Sequence, residues 1–549
     1  MRLVRTVISF LTLGLASPLL AQTALDRTTP LLARDEINIG SNERSKIVRV
    51  DVTTSEPTES INQVEPGLIV GSIIVEGNVA LSDSEFLDLI EQFSARRLEQ
   101  SDLVQLADAV AQRARERGYI FASARILEQN IQFGVLRVQL DEGRIDEIRL
   151  EGARDPAIQR QLAPLVSGSP VTRRELERQI LLADDISGVR ILNSRFEMEG
   201  ETGVLILRTR RSNASASVEL RNSGSEPVGP FRARINVDLN GLLTAADEVD
   251  VTVGTTPFQP NELQFARGSY RIVVDASGLE LGAHLSYSST TPGAFLADSD
   301  ISGRFWRAGI SGSYPAIRSR ELSVWVIGEF EVSSLKQDRA GELSRDDRVP
   351  VVRAGIYSRG EFIGGNYRGR IAVSRGLGIL SATQRGDPLA SRSDAGAQFT
   401  SLSGWFSWDR YITNNLSIGL GGRGQLATDP VLATEDIGLG GTTFLRGYNF
   451  NERSGDQGIM GFGEVRYSWN GNGFWLPYAE VYVFADGGVV SNLEGGFGGG
   501  SLASAGGGMR LDITRDLDLD LEVAFPLSGP RFDSESDAPQ VNVRVKQAL

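Results

Sequence analysis

Residues 232–239 read Arg-Ala-Arg-Ile-Asn-Val-Asp-Leu, with Ala233, Ile235, Val237 and Leu239 alternating against Arg232, Arg234, Asn236 and Asp238. Successive side chains of a β-strand point to opposite faces, so this octet has one apolar and one charged face. The same period recurs at 249–253 (VDVTV), 517–523 (LDLDLEV) and 541–546 (VNVRVK). A soluble sandwich also alternates, so strand number, spacing and residue choice must decide. About sixteen such strands begin near Ala214, Phe231, Glu248, Leu263, Gly278, Ile301, Glu321, Arg348, Asn366, Gly396, Leu416, Gly458, Tyr478, Ser501, Asp516 and Gln540. Most have the ~9–11 residues that a tilted strand needs to cross a bilayer. An even count with no interrupting helix suits closure. The expectation for 212–549 is an all-β, 16-stranded transmembrane β-barrel.

Loop lengths orient it. Connections near 289–300, 334–347, 376–395 and 428–457 are long, whereas those near 275–277, 411–414 and 514–515 are short. Long outside loops and short periplasmic turns put the N-terminal region in the periplasm. Trp405, Trp469, Tyr467, Tyr478 and Tyr287 sit toward strand ends, as interfacial girdles do. Because the lumen face is polar, charged residues occupy half of each strand without meeting lipid. His284, on one face with Glu280, Gly282 and Ser286, reads as an ordinary lumen residue.

Upstream, residues 1–21 combine Arg2 and Arg5, an apolar Val7–Leu20 stretch and Ala21, the grammar of a signal peptide. Residues 22–66 are polar and aperiodic, a linker or mobile segment. From 67 to 143 the pattern is βααββ: a β-branched run at 68–76, a helix after Ser82-Asp83-Ser84-Glu85 with capping-box spacing, a second helix over about 101–117, and two strands flanking Phe133-Gly134. Residues 144–211 repeat that order, with Thr172 and Glu175 spaced to cap the second helix. Neither unit holds a catalytic cluster, and an exposed edge strand in such a unit can pair with an extended polypeptide. A spacer role is the alternative.

Composition removes other classes. The 549 residues include no cysteine and one histidine, with 41% hydrophobic residues and a net charge of −14. Disulfide frameworks, thiolate metal sites and Cys nucleophiles are therefore out, and His-based hydrolysis is disfavoured. The acidic balance argues against a nucleic-acid partner. No cofactor is expected, and nothing pairs a nucleophile with a base, so an enzyme is the least supported reading.

The connection 428–457 is too long to be idle. It contains Gly440-Gly441-Thr442-Thr443-Phe444-Leu445-Arg446-Gly447-Tyr448, and Gly455-Asp456-Gln457-Gly458 opens the next strand. That strand carries Glu464 and Arg466 inward, and the following one places Tyr482, Phe484, Asp486 and Gly488 inward. An Arg446 folded into the lumen can pair bidentately with Asp486, with Gly447 and Gly488 permitting close approach. The alternative is a solvated arginine that never meets the aspartate.

These residues resemble the TpsB transporters of two-partner secretion, in which periplasmic POTRA domains precede an outer-membrane barrel. Leu445-Arg446-Gly447-Tyr448 is similar to the family's loop motif, and Phe484, Asp486 and Gly488 to its strand motif. Gly455-Asp456-x-Gly458 and Glu464 match the segment between. The first βααββ unit resembles a TpsB-type POTRA through Gly118-Tyr119 and the Gln129, Gly134, Glu142-Gly143 series. The resemblance implies ATP-independent translocation of a large, mostly β-helical exoprotein (TpsA-like) by a barrel embedded in outer-membrane lipid and acting as a monomer. It makes Tyr119 and Gln129 expected POTRA contacts, and Arg446 the residue holding the loop against Asp486 and Glu464. Three features depart from the family: residues 22–50 lack a convincing plug helix, the chain ends in Leu549 rather than an aromatic, and the second βααββ unit matches a POTRA poorly. An assembly insertase of the same superfamily is the runner-up, although such proteins typically carry more POTRA units. A passive porin is the other rival, but it needs none.

Overall fold

The computed structural model describes residues 68–549 except 128, 130–133, 153–154, 472, 474, 497 and 533. The expected signal peptide, the linker, the plug question and Phe133 therefore lie outside the described residues.

The first unit does not begin as one strand. At Gly71 the run changes partners: Leu68–Val70 pairs antiparallel with Arg96–Leu98, and Ser72–Glu76 pairs parallel with Val135–Asp141. The Gly71 N–H is taken by the Gly134 carbonyl at 2.7 Å, which pins the switch. Nor does Ser82 cap a helix. Its hydroxyl pairs with that of Ser84, and Asp83–Phe86 forms a 3-10 turn before the helix Leu87–Phe93. The longer helix Gln100–Glu116 buries Leu103, Leu106, Val110 and Ala114 at helical spacing against Leu136 and Val138 of the sheet. Arg113 reaches from this helix to both carboxylate oxygens of Asp88 (2.8 and 2.6 Å). Its hydrogen bonds hold that carboxyl down at about 2.

Glu142, 2% exposed, closes the unit: its carboxylate accepts the backbone N–H groups of Val79, Ala80 and Leu81 at 3.0, 2.8 and 2.7 Å. Removing it by Glu142→Ala leaves three donors without their acceptor, a local cost of about 2–4 kcal/mol. The expected result is hydrogen exchange at the amides of 79–81 accelerated by one to two orders of magnitude while the Gln100–Glu116 helix stays protected.

The second unit has the expected βααββ order: Glu147–Gly152, helices Pro156–Leu162 and Arg173–Asp184, then Val189–Glu199 and Thr202–Arg211. Thr172 and Glu175 form the expected capping box. Phe121 and Phe196 stack between the two units at 3.9 Å. On its other side this unit is seated on the barrel. Arg178 donates to the carbonyls of Ser277 and Pro315 (3.2 and 2.9 Å), and Arg318 of the barrel grips both oxygens of Asp185 at 2.7 Å. Gly278 has φ +85° with Leu182 packed where a Cβ would stand, so this turn admits only glycine at close range.

Sixteen antiparallel strands close the barrel. They are β1 (Ala214–Arg221), β2 (Arg232–Asn240), β3 (Asp247–Thr255), β4 (Gln264–Val273), β5 (Glu280–Thr290), β6 (Ile301–Arg318), β7 (Leu322–Arg339) and β8 (Glu342–Phe362). The second half is β9 (Gly365–Gly376), β10 (Thr400–Tyr411), β11 (Leu416–Ala427), β12 (Gln457–Asn470), β13 (Tyr478–Ser491), β14 (Gly500–Asp512), β15 (Leu517–Pro526) and β16 (Gln540–Ala548). β16 returns to β1, with Arg544 opposite Arg221 and Ala548 opposite Ser217. Exposed Val326, Ile356, Ile371 and Phe406 mark the lipid face, and their neighbours in sequence turn inward.

Two expectations change here. The long loop expected at 334–347 is instead a hairpin: β7 and β8 run for 18 and 21 residues and meet at Ala340-Gly341. Both turn residues have positive φ (52° and 78°), the geometry of a tight two-residue hairpin turn. The polar residues 334–347 look like loop because this part of both strands stands clear of the apolar band. Secondly, Tyr287, Tyr467 and Trp469 do face outward, but Trp405 and Tyr478 face the lumen. Trp405 neighbours the lipid-facing Phe406, and the Tyr478 hydroxyl donates to the buried Glu480 at 2.7 Å. Tyr478 does open its strand; parity, not aromaticity, sets the face.

Candidate functional site: a loop docked in the lumen

The connection from β11 to β12 turns into the barrel. It forms its own small ladder, Ile437–Leu439 against Arg453–Gly455. Leu439, Phe444, Leu445 and Tyr448 pack with Met460, Phe462, Val490 and Leu502 of the wall. Leu445 sits at φ 59°, a left-handed conformation that a leucine adopts only when packing enforces it. That turn aims the next side chain, Arg446, at the wall.

Arg446 is 4% exposed. Its Nε and its backbone N–H both donate to Asp486 Oδ2, at 3.1 and 3.2 Å. Its Nη1 donates to Glu464 and to Glu522, each at 3.1 Å, and the guanidinium carbon lies 3.3 Å from the Phe484 ring centroid. The expected bidentate clamp on Asp486 is therefore replaced by a guanidinium shared among three carboxylates. The fork of donors points in divergent directions, and the carboxylates of β12, β13 and β15 meet it from separate strands. Arg466 and Arg510 also donate to Glu464 (2.7 and 2.8 Å), and the Tyr482 hydroxyl donates to Glu522 at 2.9 Å. A buried ionic network of this kind adds little net stability but tolerates few other arrangements, so it fixes position.

The glycines serve different ends from those expected. A Cβ on Gly447 would lie 2.9 Å from the backbone of Phe525 and Pro526, so this glycine lets the loop touch β15. Gly488 makes room for Leu439 and Met460, not for the guanidinium. Tyr448, 1% exposed, donates to the Gly529 carbonyl at 3.1 Å and accepts from the Ser528 N–H at 2.8 Å.

A second tie sits above the first. Asp456, fully buried, accepts from Arg392 Nη1 at 2.6 Å and from the N–H groups of Val431 and Leu493 at 2.8 and 2.7 Å. It thus joins three outside connections: 377–399, 428–456 and 492–499. Glu435 is gripped by Arg353 of β8 through two bonds of 2.8 Å. Asp456→Ala is expected to loosen this cover and raise single-channel conductance in planar bilayers several-fold, with Arg446 still docked. Wild-type conductance would count against the tie.

Glu522 and Arg392 are the residues that sequence reading missed. Glu522 was visible as a lumen position of the LDLDLEV strand, but nothing in the sequence brings that strand to Arg446. Arg392 lies in an aperiodic connection and carries no local signal. His284 lies 3.4 Å from Glu331 on the lumen side.

The family model of the haemolysin secretion/activation proteins ShlB/FhaC/HecB matches residues 200–511, and the ShlB-type POTRA domain matches residues 68–143. The chain belongs to this secretion family. It is 24% identical over 482 residues to the outer membrane transporter CdiB of Escherichia coli, covering 83% of this chain and 78% of the relative. It is 22% identical over 485 residues to the heme/hemopexin transporter protein HuxB of Haemophilus influenzae (strain 86-028NP), covering 83% and 82%. The solved structure of CdiB from Escherichia coli superposes with a TM-score of 0.77 at 20% identity, over 96% of this chain and 99% of that one. As a member of the ShlB/FhaC/HecB family, the chain is an outer-membrane barrel of two-partner secretion with its POTRA region in the periplasm.

Within the ShlB-type POTRA domain, both candidate contacts are engaged internally. Tyr119 packs half-buried against the domain core. The Gln129 side chain bridges the backbone of Arg137, donating to its carbonyl at 2.8 Å and accepting its N–H at 2.9 Å.

Proposed function

We propose that the chain captures one large exoprotein in extended form through its two βααββ units, read as two POTRA domains over 67–143 and 144–211. The exoprotein then passes through the lumen without ATP, drawn outward by its own folding as a β-helix. The barrel works as a monomer. Arg446 is the latch of this cycle: its bonds to Asp486, Glu464 and Glu522 hold the 428–457 loop across the lumen until the incoming chain displaces it. The observation that carries the reading is the burial of Arg446 among three carboxylates from three strands, an arrangement with no use in an open porin. No step calls for catalysis or a cofactor.

The test is secretion. Cells expressing this chain together with a candidate exoprotein from the neighbouring reading frame are expected to release that protein into the medium, and cells lacking the chain to retain it. Equal release in both would overturn the reading.

A further inference from the structure

The inner wall carries a row of side chains that the latch does not use. Cross-strand partners run Trp325 opposite Tyr357, Tyr357 opposite Arg370, Arg370 opposite Trp405, and Trp405 opposite Arg423. These positions on β7 to β11 all point inward, and all are half-exposed. The rings are in contact, with centroids 5.4 Å apart for Trp325 and Tyr357 and 6.2 Å for Tyr357 and Trp405. Arg318 and Arg359 lie over the Trp325 ring at 5.5 and 5.2 Å. Arg370 donates to Glu329 at 2.8 Å, while its Nε has no acceptor among the described residues.

Because strands tilt in a closed barrel, partners on successive strands climb. Trp325 lies near the periplasmic start of β7, beside Arg318, which holds Asp185 of the second βααββ unit. The row continues from Arg423 to Met460, Gly488 and Leu502, near the outer ends of β12, β13 and β14. There Phe444, Leu445 and Tyr448 of the docked loop cover it, with Trp405 packed against the same cluster. The row thus rises from the seat of the periplasmic unit to the underside of the loop.

We propose that this ascending aromatic and guanidinium row is the binding track for an extended polypeptide in transit, and that the loop's apolar residues occupy its upper end in the resting state. The inference rests on the transport reading above. Rings stack on peptide planes and side chains of any sequence, and guanidinium groups donate to main-chain carbonyls. Many weak, equivalent contacts permit entry without arresting exit, which is the requirement for conduction.

The test uses the full chain in planar bilayers with Arg446→Ala to free the loop. The probe is an unstructured Gly/Asn/Thr/Val peptide, long enough to span the barrel, added on the periplasmic side. Trp325→Leu, Tyr357→Leu and Arg370→Gln combined are expected to shorten peptide-induced current blockades roughly tenfold. The lipid-facing Ile356→Ala should leave them unchanged, and heat-modifiability confirms that each barrel is folded. Blockades of unaltered length in the triple variant overturn the track and leave the transport reading standing. Absence of blockades in every channel, including the barrel that keeps Arg446, with ion current present, overturns the transport reading beneath it.

Discussion

Arg446→Ala is expected to abolish export while the barrel still assembles. None of the sixteen strand pairings involves residue 446, so closure and heat-modifiability are retained. What is lost is the cation that joins Asp486, Glu464 and Glu522 to the loop. Removing one member of a buried ionic network typically costs about 3–5 kcal/mol, because the remaining charges are left uncompensated. At about 1.4 kcal/mol per tenfold, that is a loss of about two to three and a half orders of magnitude in the docked population. Arg446→Lys should fail nearly as badly. An ammonium is a compact charge, whereas the guanidinium reaches Asp486 through Nε and the two glutamates through Nη1 at once. The measurement is immunoblotting of the secreted partner in culture medium, beside a heat-modifiability gel. Undiminished export by Arg446→Ala would remove the latch from the mechanism.

Deleting residues 68–211 is the second change expected to eliminate secretion. Here the reason is access, not latching. The second unit is seated over the periplasmic turns of the barrel through Arg178 and Asp185, and Gln161 adds a 2.7 Å bond to the Ala276 carbonyl. Val273 and Ala246 of the barrel share a core with this unit's helices. Deletion therefore uncovers a small apolar rim and leaves Arg318 without its carboxylate, a local cost that a closed sheet of sixteen strands can bear. The deleted protein should insert and conduct ions but release no partner. Secretion at the wild-type level by such a barrel would overturn the capture role of both units.

Much of this architecture is legible in the chain because the barrel is written with a period of two. Starts expected at Ala214, Ile301, Leu416, Tyr478 and Gln540 coincide with those of β1, β6, β11, β13 and β16. The misses share a cause. Residues 334–347 look like loop because polar residues on both faces signal a loop only while the strand is inside the membrane; above it they signal nothing. Residue type alone makes Trp405 look interfacial, yet register places it inward. In the site, the motifs and the inward parity of Asp486 pair it with Arg446, but Glu522 lies 76 residues away on a strand that only barrel closure brings near. Long-range arrangement of that kind depends on strand number and stagger, which no local pattern records.

The tall hairpin of β7 and β8 has a practical consequence. From the last apolar outward residue, Val332, its tip at Ala340-Gly341 stands ~20 Å higher at the rise and tilt of a barrel strand. It is exposed, and the lumen cover is built from other connections. A short epitope spliced into that tip would fly like a pennant above the cell surface, letting individual barrels be counted on living bacteria without a hand laid on the machinery below.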